Sequence, residues 1–200
     1  MPTIEESATM QPGLPPQPAR SSRSEFDQEC RMLTAAQRYR EACSLIAVRL
    51  GPEVRGYCRG VMACAAAGDD LYQDVLEGVW IGLPSFQFAC AVRTWVYAIA
   101  HHLVLRWLRR YSRQHVVRLD TDRAAALPGV SLSAEHAEQR EHVARLCERL
   151  SPEEREIIIL RTEREMSFRE IATVMQIEEP AARQRYRRAR NRLQALLAEA

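Results

Sequence analysis

Apolar positions along the chain recur three and four residues apart, in runs parted by Gly, Pro and polar clusters, the pattern of short amphipathic helices. A first helix is expected from about Phe26 or Leu33 to Leu50, with Gly51-Pro52 interrupting it. Pro52 suits the first turn of a second helix reaching about Ala67 and carrying Val54, Tyr57, Cys58, Val61 and Met62. Gly68 would end that helix and Asp69 cap the next, which runs from Asp70 to about Ile81 with Leu71, Val75, Val79 and Trp80 at helical spacing. After a break at Gly82-Leu83-Pro84 comes a loop, Ser85 to Ala91, bearing Phe86 and Phe88. A long helix from about Val92 to Tyr111 then carries Trp95, Tyr97, Ile99, Leu103, Trp107 and Leu108.

The C-terminal third repeats this helical pattern on a smaller scale. A helix from about Ala134 to Leu150 would bury Val143, Leu146, Cys147 and Leu150. Ser151-Pro152-Glu153-Glu154 has the S-x-x-E spacing of a capping box with Pro at the first helical position, opening a helix through Ile157 to Leu160. Ser167 and Glu170 form a second capping box, with Met166 and Ile171 placed as a hydrophobic staple, so a short helix begins at 168 with Ile171, Ala172 and Met175 inside. The pattern breaks at Gln176-Ile177-Glu178 and resumes at Glu179-Pro180 in a further helix, whose stripe is Ala182, Tyr186, Ala189, Leu193 and Leu196. Together the last two form a helix-turn-helix.

Charge changes the picture from fold to function. The chain has 200 residues and a formal net charge of only +2, so the location of the charge matters more than its sum. All 28 basic residues are arginine. Six fall between Arg183 and Arg192 with no acid among them, on the second helix of the helix-turn-helix, where a major-groove reader belongs. Arg169, Pro180, Arg183, Gln184, Arg187, Arg188 and Asn191 are the candidate DNA contacts, since Arg and Gln can also pair bidentately with base edges. A solvated basic helix is the plainer reading of such a run, and the helix-turn-helix context weighs against it.

A second cationic stretch runs from Gly78 to Leu119 without one Asp or Glu. Its aromatics, interleaved with arginines, could stack on unpaired bases, although Trp107 reads as core. Asp69, Asp70, Asp74 and Glu77 complement a helix N-terminus better than they serve as a catalytic pair, because no His, Cys or Gly-rich phosphate loop accompanies them. His101 and His102 point about 100° apart, unlike an i, i+4 metal pair, and read as polar-face side chains. The six cysteines lack C-x-x-C pairing and suit buried, reduced thiols. Neither a signal peptide nor an apolar run of membrane-spanning length is present, which gives a cytoplasmic expectation with no membrane insertion. No catalysis, cofactor or metal is expected.

These residues also resemble a known family. Asp70-Leu71-Tyr72-Gln73-Asp74-Val75, the W-x-x-L-P-x-F run from Trp80 to Phe86, Val92-Arg93-Thr94-Trp95 and Leu150-Ser151-Pro152-Glu153-Glu154-Arg155-Glu156 are similar, in that order, to bacterial RNA polymerase sigma factors of the extracytoplasmic-function group. The resemblance implies an all-α chain of two small helical domains, a region 2-like bundle and a region 4-like helix-turn-helix, joined by a flexible linker. Residues 1–25, rich in Pro, Ser and Gln, would be a disordered tail, 26–112 the first domain, 113–133 the linker and 134–200 the second domain.

It further implies that Asp70, Leu71, Gln73, Asp74, Val75 and Trp80 grip core RNA polymerase. Phe86, Gln87, Phe88, Arg93, Trp95, Tyr97, His102, Arg106, Arg109 and Arg110 would open the minus-ten element, capturing a flipped base in the loop, while the helix-turn-helix reads the minus-thirty-five element of promoter DNA. An anti-sigma factor is a further implied partner. The chain departs from the family at Glu165 and Gln176, where glycines are usual, and at His102 and Arg106, where Asn and Asp are common. A stand-alone helix-turn-helix regulator is the alternative, but it leaves Asp70 to Trp80 without a role.

Overall fold

The computed structural model of the chain describes residues 20–114 and 149–199, and among these every regular element is helical. The expected tail before 20, the connector beyond 114 and the helix from Ala134 up to 148 lie outside the described residues. The first module comprises α1 (Arg20–Ala35), α2 (Tyr39–Met62), α3 (Ala65–Gly82) and α4 (Val92–Gln114), with a tight 3-10 turn at Leu83–Ser85. The second comprises α5 (Pro152–Ile158), a π-helical turn at Ile159–Glu163, α6 (Phe168–Met175) and α7 (Glu179–Ala198).

The helix expected to run unbroken to Leu50 turns at residues 36–38, where Gln37 has a φ of 57°, and at three other places packing outweighed a local signal. The helix α1 starts at Arg20, inside the stretch assigned to the tail, because Phe26 and Cys30 join the core and the Asp27 carboxylate accepts the Val92 amide of α4 at 3.0 Å. Gly51-Pro52 does not interrupt α2, since Ile46, Leu50, Val54, Tyr57, Cys58 and Val61 form one buried stripe across it. Pro52 can offer no amide to the carbonyl four residues back, at Val48, and Val48 lies on the exposed side of the helix.

Gly68 does not end a helix either. The chain turns at Ala63, whose φ is 51°, and Gly68 lies inside α3 at its closest approach to α2. A Cβ there would sit 2.5 Å from the Cα of Arg59. Asp69, expected as a cap, instead accepts hydrogen bonds from Arg55 at 2.8 Å and Arg59 at 2.5 and 2.7 Å, clasping α3 to α2.

In the second module the capping signals hold. The Ser151 and Ser167 hydroxyls each accept the amide three residues on at 3.2 Å, while Glu154 and Glu170 accept the serine amides at 2.9 and 2.8 Å. Met166 and Ile171 are fully buried beside them. Glu165 and Gln176, which stand where the family has glycine, take left-handed φ values of 49° and 52°. That is a conformation costlier for a residue bearing a Cβ.

The two modules are not separate in this structure. α2 packs on α5 and the π turn, α4 packs on α6, and one apolar core runs from Phe26 through Tyr57 and Tyr97 to Ile157, Leu160 and Ala189.

Two outcomes follow for stability. Gly68→Ala places a methyl against backbone that cannot move without parting α2 from α3, and chemical denaturation should show a loss of about 1–3 kcal/mol or more. The two guanidinium groups hold the Asp69 carboxyl well below the usual carboxylate range. Its contribution is therefore complete above the unfolded value and lost as pH falls towards the folded one. Between about pH 4 and pH 2 the parent chain should lose stability more steeply than Asp69→Asn, with thermal melting across that range as the measurement.

Candidate nucleic-acid and polymerase interfaces

The strongest cationic surface lies on α7. Ala182, Ala189 and Leu196 are buried and Tyr186 and Leu193 half-buried, so the stripe read from sequence docks the helix. The outer arc of Arg183, Gln184, Arg187, Arg188 and Asn191 is exposed, as are Arg169 on α6 and Pro180 at the start of α7.

The arginines are not equivalent. Arg183 pairs with Glu179 and lies 4.9 Å over the Phe168 ring. Arg185 and Arg192 approach Glu153 and Glu154 at 3.8 Å, turning towards α5. Among the described residues, Arg187, Arg188 and Arg190 have no carboxylate within ion-pair distance, which leaves them the strongest local positive potential.

On the first module, Asp70, Gln73, Asp74 and Trp80 line the outer face of α3, and Trp80 is half exposed with Ile81 beside it. Leu71 and Val75, expected in the same contact set, are fully buried. A 100° step per residue places them on the opposite face, where they anchor α3 to α2 and α4, so they shape the acidic surface from within.

The loop after the 3-10 turn holds an aromatic stack. Phe86 lies flat against Trp95 at 4.3 Å with planes 12° apart, and it meets Phe88 at 4.5 Å. Phe88 has φ of 54°, unusual for a bulky side chain, and its ring is covered by Arg31 at 5.2 Å. Beside these rings an open hollow of about 470 Å³ is lined by Arg31, Thr34, Tyr39, Pro84, Phe86, Gln87 and Phe88. Sequence reasoning found the loop but missed Arg31 and Tyr39, because α1 and the start of α2, about 50 residues upstream, supply them and no local pattern marks them. His102, Arg106 and Arg109 project outward along α4, and the Arg110 side chain lies outside those described.

Two residues expected at this surface are elsewhere. Tyr97 is fully buried, its ring edge-on to Tyr57 at 5.1 Å, and burial raises its hydroxyl pKa. Arg93 is 9% exposed; it donates to Glu53 at 3.1 Å and to the Arg164 carbonyl of the second module at 2.9 Å. Neither can reach a base in this arrangement, because the second module covers the face of α4 on which they lie.

The same covering buries a group that the sequence did not flag. Glu156 of α5 is fully buried, and its Oε1 accepts the Tyr57 hydroxyl at 2.5 Å and lies 2.8 Å from His101 Nδ1. His101 was expected on a polar face; it is 7% exposed, whereas His102 is open to solvent. Burial first, then the Glu156 charge, push the Tyr57 hydroxyl well above the ordinary tyrosine value. Among the described residues no group of three His, Cys, Asp or Glu side chains is placed to hold a metal, and no helix is long and apolar enough to cross a membrane.

Residues 46–114 match the model of Sigma-70 region 2, and residues 140–193 match that of Sigma-70, region 4. The RNA polymerase sigma factor YlaC of Bacillus subtilis (strain 168) is 27% identical over 109 residues, which is 53% of this chain and 63% of that relative. The aligned part thus spans under two thirds of YlaC.

Two solved structures share the fold. The sigma factor RpoE of Bartonella quintana, in complex with the anti-sigma factor NepR, has a TM-score of 0.61 at 22% identity, covering 88% of this chain and 98% of that one. CnrH in complex with the cytosolic domain of CnrY has a TM-score of 0.63 at 24% identity, covering 87% and 98%. With two regions of one family matched in order over more than half its length, the chain belongs to the sigma-70 family of RNA polymerase sigma factors.

Proposed function

We propose that this chain binds core RNA polymerase and directs it to promoters, acting in the cytoplasm and performing no catalysis of its own. The reading rests above all on one observation: a capped helix-turn-helix with an exposed arginine arc shares a chain with an exposed acidic-apolar helix face. A free-standing DNA-binding regulator has use for the first but not the second. The first module, residues 20–114, serves as the polymerase and minus-ten domain, and the second, described over residues 149–199, as the minus-thirty-five domain.

In this scheme Asp70, Gln73, Asp74 and Trp80 meet the enzyme, combining charges that steer encounter with a half-exposed indole that supplies apolar area. Arg187, Arg188, Gln184 and Asn191 meet the duplex, with Arg169 and Arg183 at the margin. Phe86, Gln87, Phe88 and Trp95 receive the opened strand, and His102, Arg106 and Arg109 follow its phosphates. Unstacking a base costs a few kcal/mol, and aromatic stacking of about 1–3 kcal/mol per base offsets it. An anti-sigma factor is a natural regulator, since both structural neighbours were solved with partners of that kind or with a cytosolic domain bound.

Adding the purified chain to core polymerase should yield transcripts that depend on promoter sequence, and Asp74→Arg should weaken the complex by about tenfold or more. The absence of any stable complex with core would overturn the reading. Within the helix-turn-helix, Arg187→Ala should weaken duplex binding by about 1–3 kcal/mol at a base contact, or lower the salt slope by about one at a phosphate. Arg185→Ala, whose guanidinium is turned towards Glu153, should do less. Anisotropy titrations over a salt series distinguish the two, and equal losses would show that another face meets DNA.

A further inference from the structure

The aromatic loop is held by a helix that lies well ahead of it in the chain. α1 precedes residues 46–114, the part matched to Sigma-70 region 2, and the functions assigned to the first module use none of its side chains. Yet Asp27, Arg31 and Thr34 of α1 converge on the loop and its hollow. The loop ends where α4 begins. Ala91 precedes the helix, and its carbonyl accepts the Trp95 amide at 3.0 Å, but a methyl side chain can cap nothing. Asp27 takes the Val92 amide instead at 3.0 Å, a carboxylate cap supplied from 65 residues away, where the helix dipole favours negative charge.

On the loop itself, Trp95, Phe86, Phe88 and Arg31 form one column. Phe86 lies 4.3 Å from Trp95 and 4.5 Å from Phe88, and the Arg31 guanidinium sits over Phe88 at 5.2 Å. Arg31 thus ends the column at the wall of the hollow. A ring contact consumes none of a guanidinium's five N–H groups. Among the described residues no carboxylate lies within ion-pair distance of Arg31 and no oxygen accepts its N–H groups. The other polar groups of the hollow are Thr34, Tyr39 and Gln87. The Thr34 hydroxyl donates to the Cys30 carbonyl at 2.8 Å, so towards the hollow it can only accept.

We propose that α1 is the reading wall of this hollow: Arg31 selects a captured base that offers two adjacent acceptors, guanine or cytosine, and Asp27 positions the loop that receives it. The inference rests on strand capture by Phe86, Phe88 and Trp95 and names what that site selects. A guanidinium fork needs two acceptors side by side. Guanine offers O6 and N7, and cytosine offers O2 and N3. Adenine sets an amino donor beside the acceptor on each of its reading edges, and thymine parts its two oxygens with an N–H, so neither matches both prongs.

The test uses holoenzyme formed from the full chain and core polymerase. It is offered short randomised single strands, and the bound strands are sequenced. Phe86→Ala marks the captured position as the one whose preference it abolishes. There the parent should enrich guanine or cytosine over adenine and thymine by about 5- to 100-fold, the range of one bidentate contact. Arg31→Ala should level that position alone. Arg31→Lys should level it too while keeping overall affinity within about threefold, because an ammonium carries the charge without the fork. If guanine is the enriched base, 7-deazaguanine, which lacks N7, should lose the same factor.

Asp27→Ala should weaken single-strand binding by about 3- to 10-fold, the scale of a lost cap, whereas Asp27→Asn, which still accepts the Val92 amide, should stay within about twofold of the parent. Duplex binding through the helix-turn-helix, measured on the same variants, should not change. A captured position that prefers adenine or thymine, or a preference that survives either Arg31 variant, would overturn the reading role and leave strand capture standing. Equal binding by Asp27→Ala and the parent would overturn the positioning role. If Phe86→Ala altered no position, strand capture itself would fail and this proposal with it.

Discussion

A single buried carboxylate sets how the two modules seat on one another. Glu156 sits among apolar side chains, where an unpaired charge would be strongly disfavoured, so it can enter only where Tyr57 and His101 meet it. That requirement orients α5 on α2 and α4, and through α5 it orients the π turn, the helix-turn-helix and the arginine arc. Apolar burial holds the modules together without preferring one seating over another of similar area. The polar cluster makes the choice, because a shift of an ångström or two strands a buried hydroxyl, imidazole and carboxylate together.

Close backbone approach is the second constraint. Gly68 admits α3 against Arg59, while Gly56 and Gly60, one turn apart, admit the second module against α2. The same helix thus serves two neighbours on different faces, and its continuity through Pro52 keeps those faces in fixed register. With α2 interrupted at Gly51-Pro52, the core packed on Ile46 and Leu50 would carry no information about where Tyr57 points.

Much of this was legible in the sequence, and the limits of legibility have a physical pattern. Capping boxes at Ser151 and Ser167, the stripe on α7 and the aromatic loop are local features, and they came through with their residues correctly placed. Gly51-Pro52 and Gly68 misled because a helix breaker is only a local preference, which long-range packing can outweigh. Tyr97, Arg93 and His101 misled differently. Their periodicity put them on a helix, but which neighbour covers that face is decided about 60 residues away in sequence, by Glu156 and Arg164. Leu71 and Val75 were grouped with the acids around them by motif, although helical phase alone would have separated the two faces.

The arginine row on α7 has a chemical consequence beyond its fit to phosphate. A guanidinium stays charged at any pH the fold survives, and a chain devoid of lysine offers no side-chain amine for acylation. The positive potential of the reading helix is thus beyond the reach of the commonest covalent means of erasing it. Competing ions, a neighbouring acid or a physical cover then act on it directly, through the space around the guanidinium groups rather than through an amine.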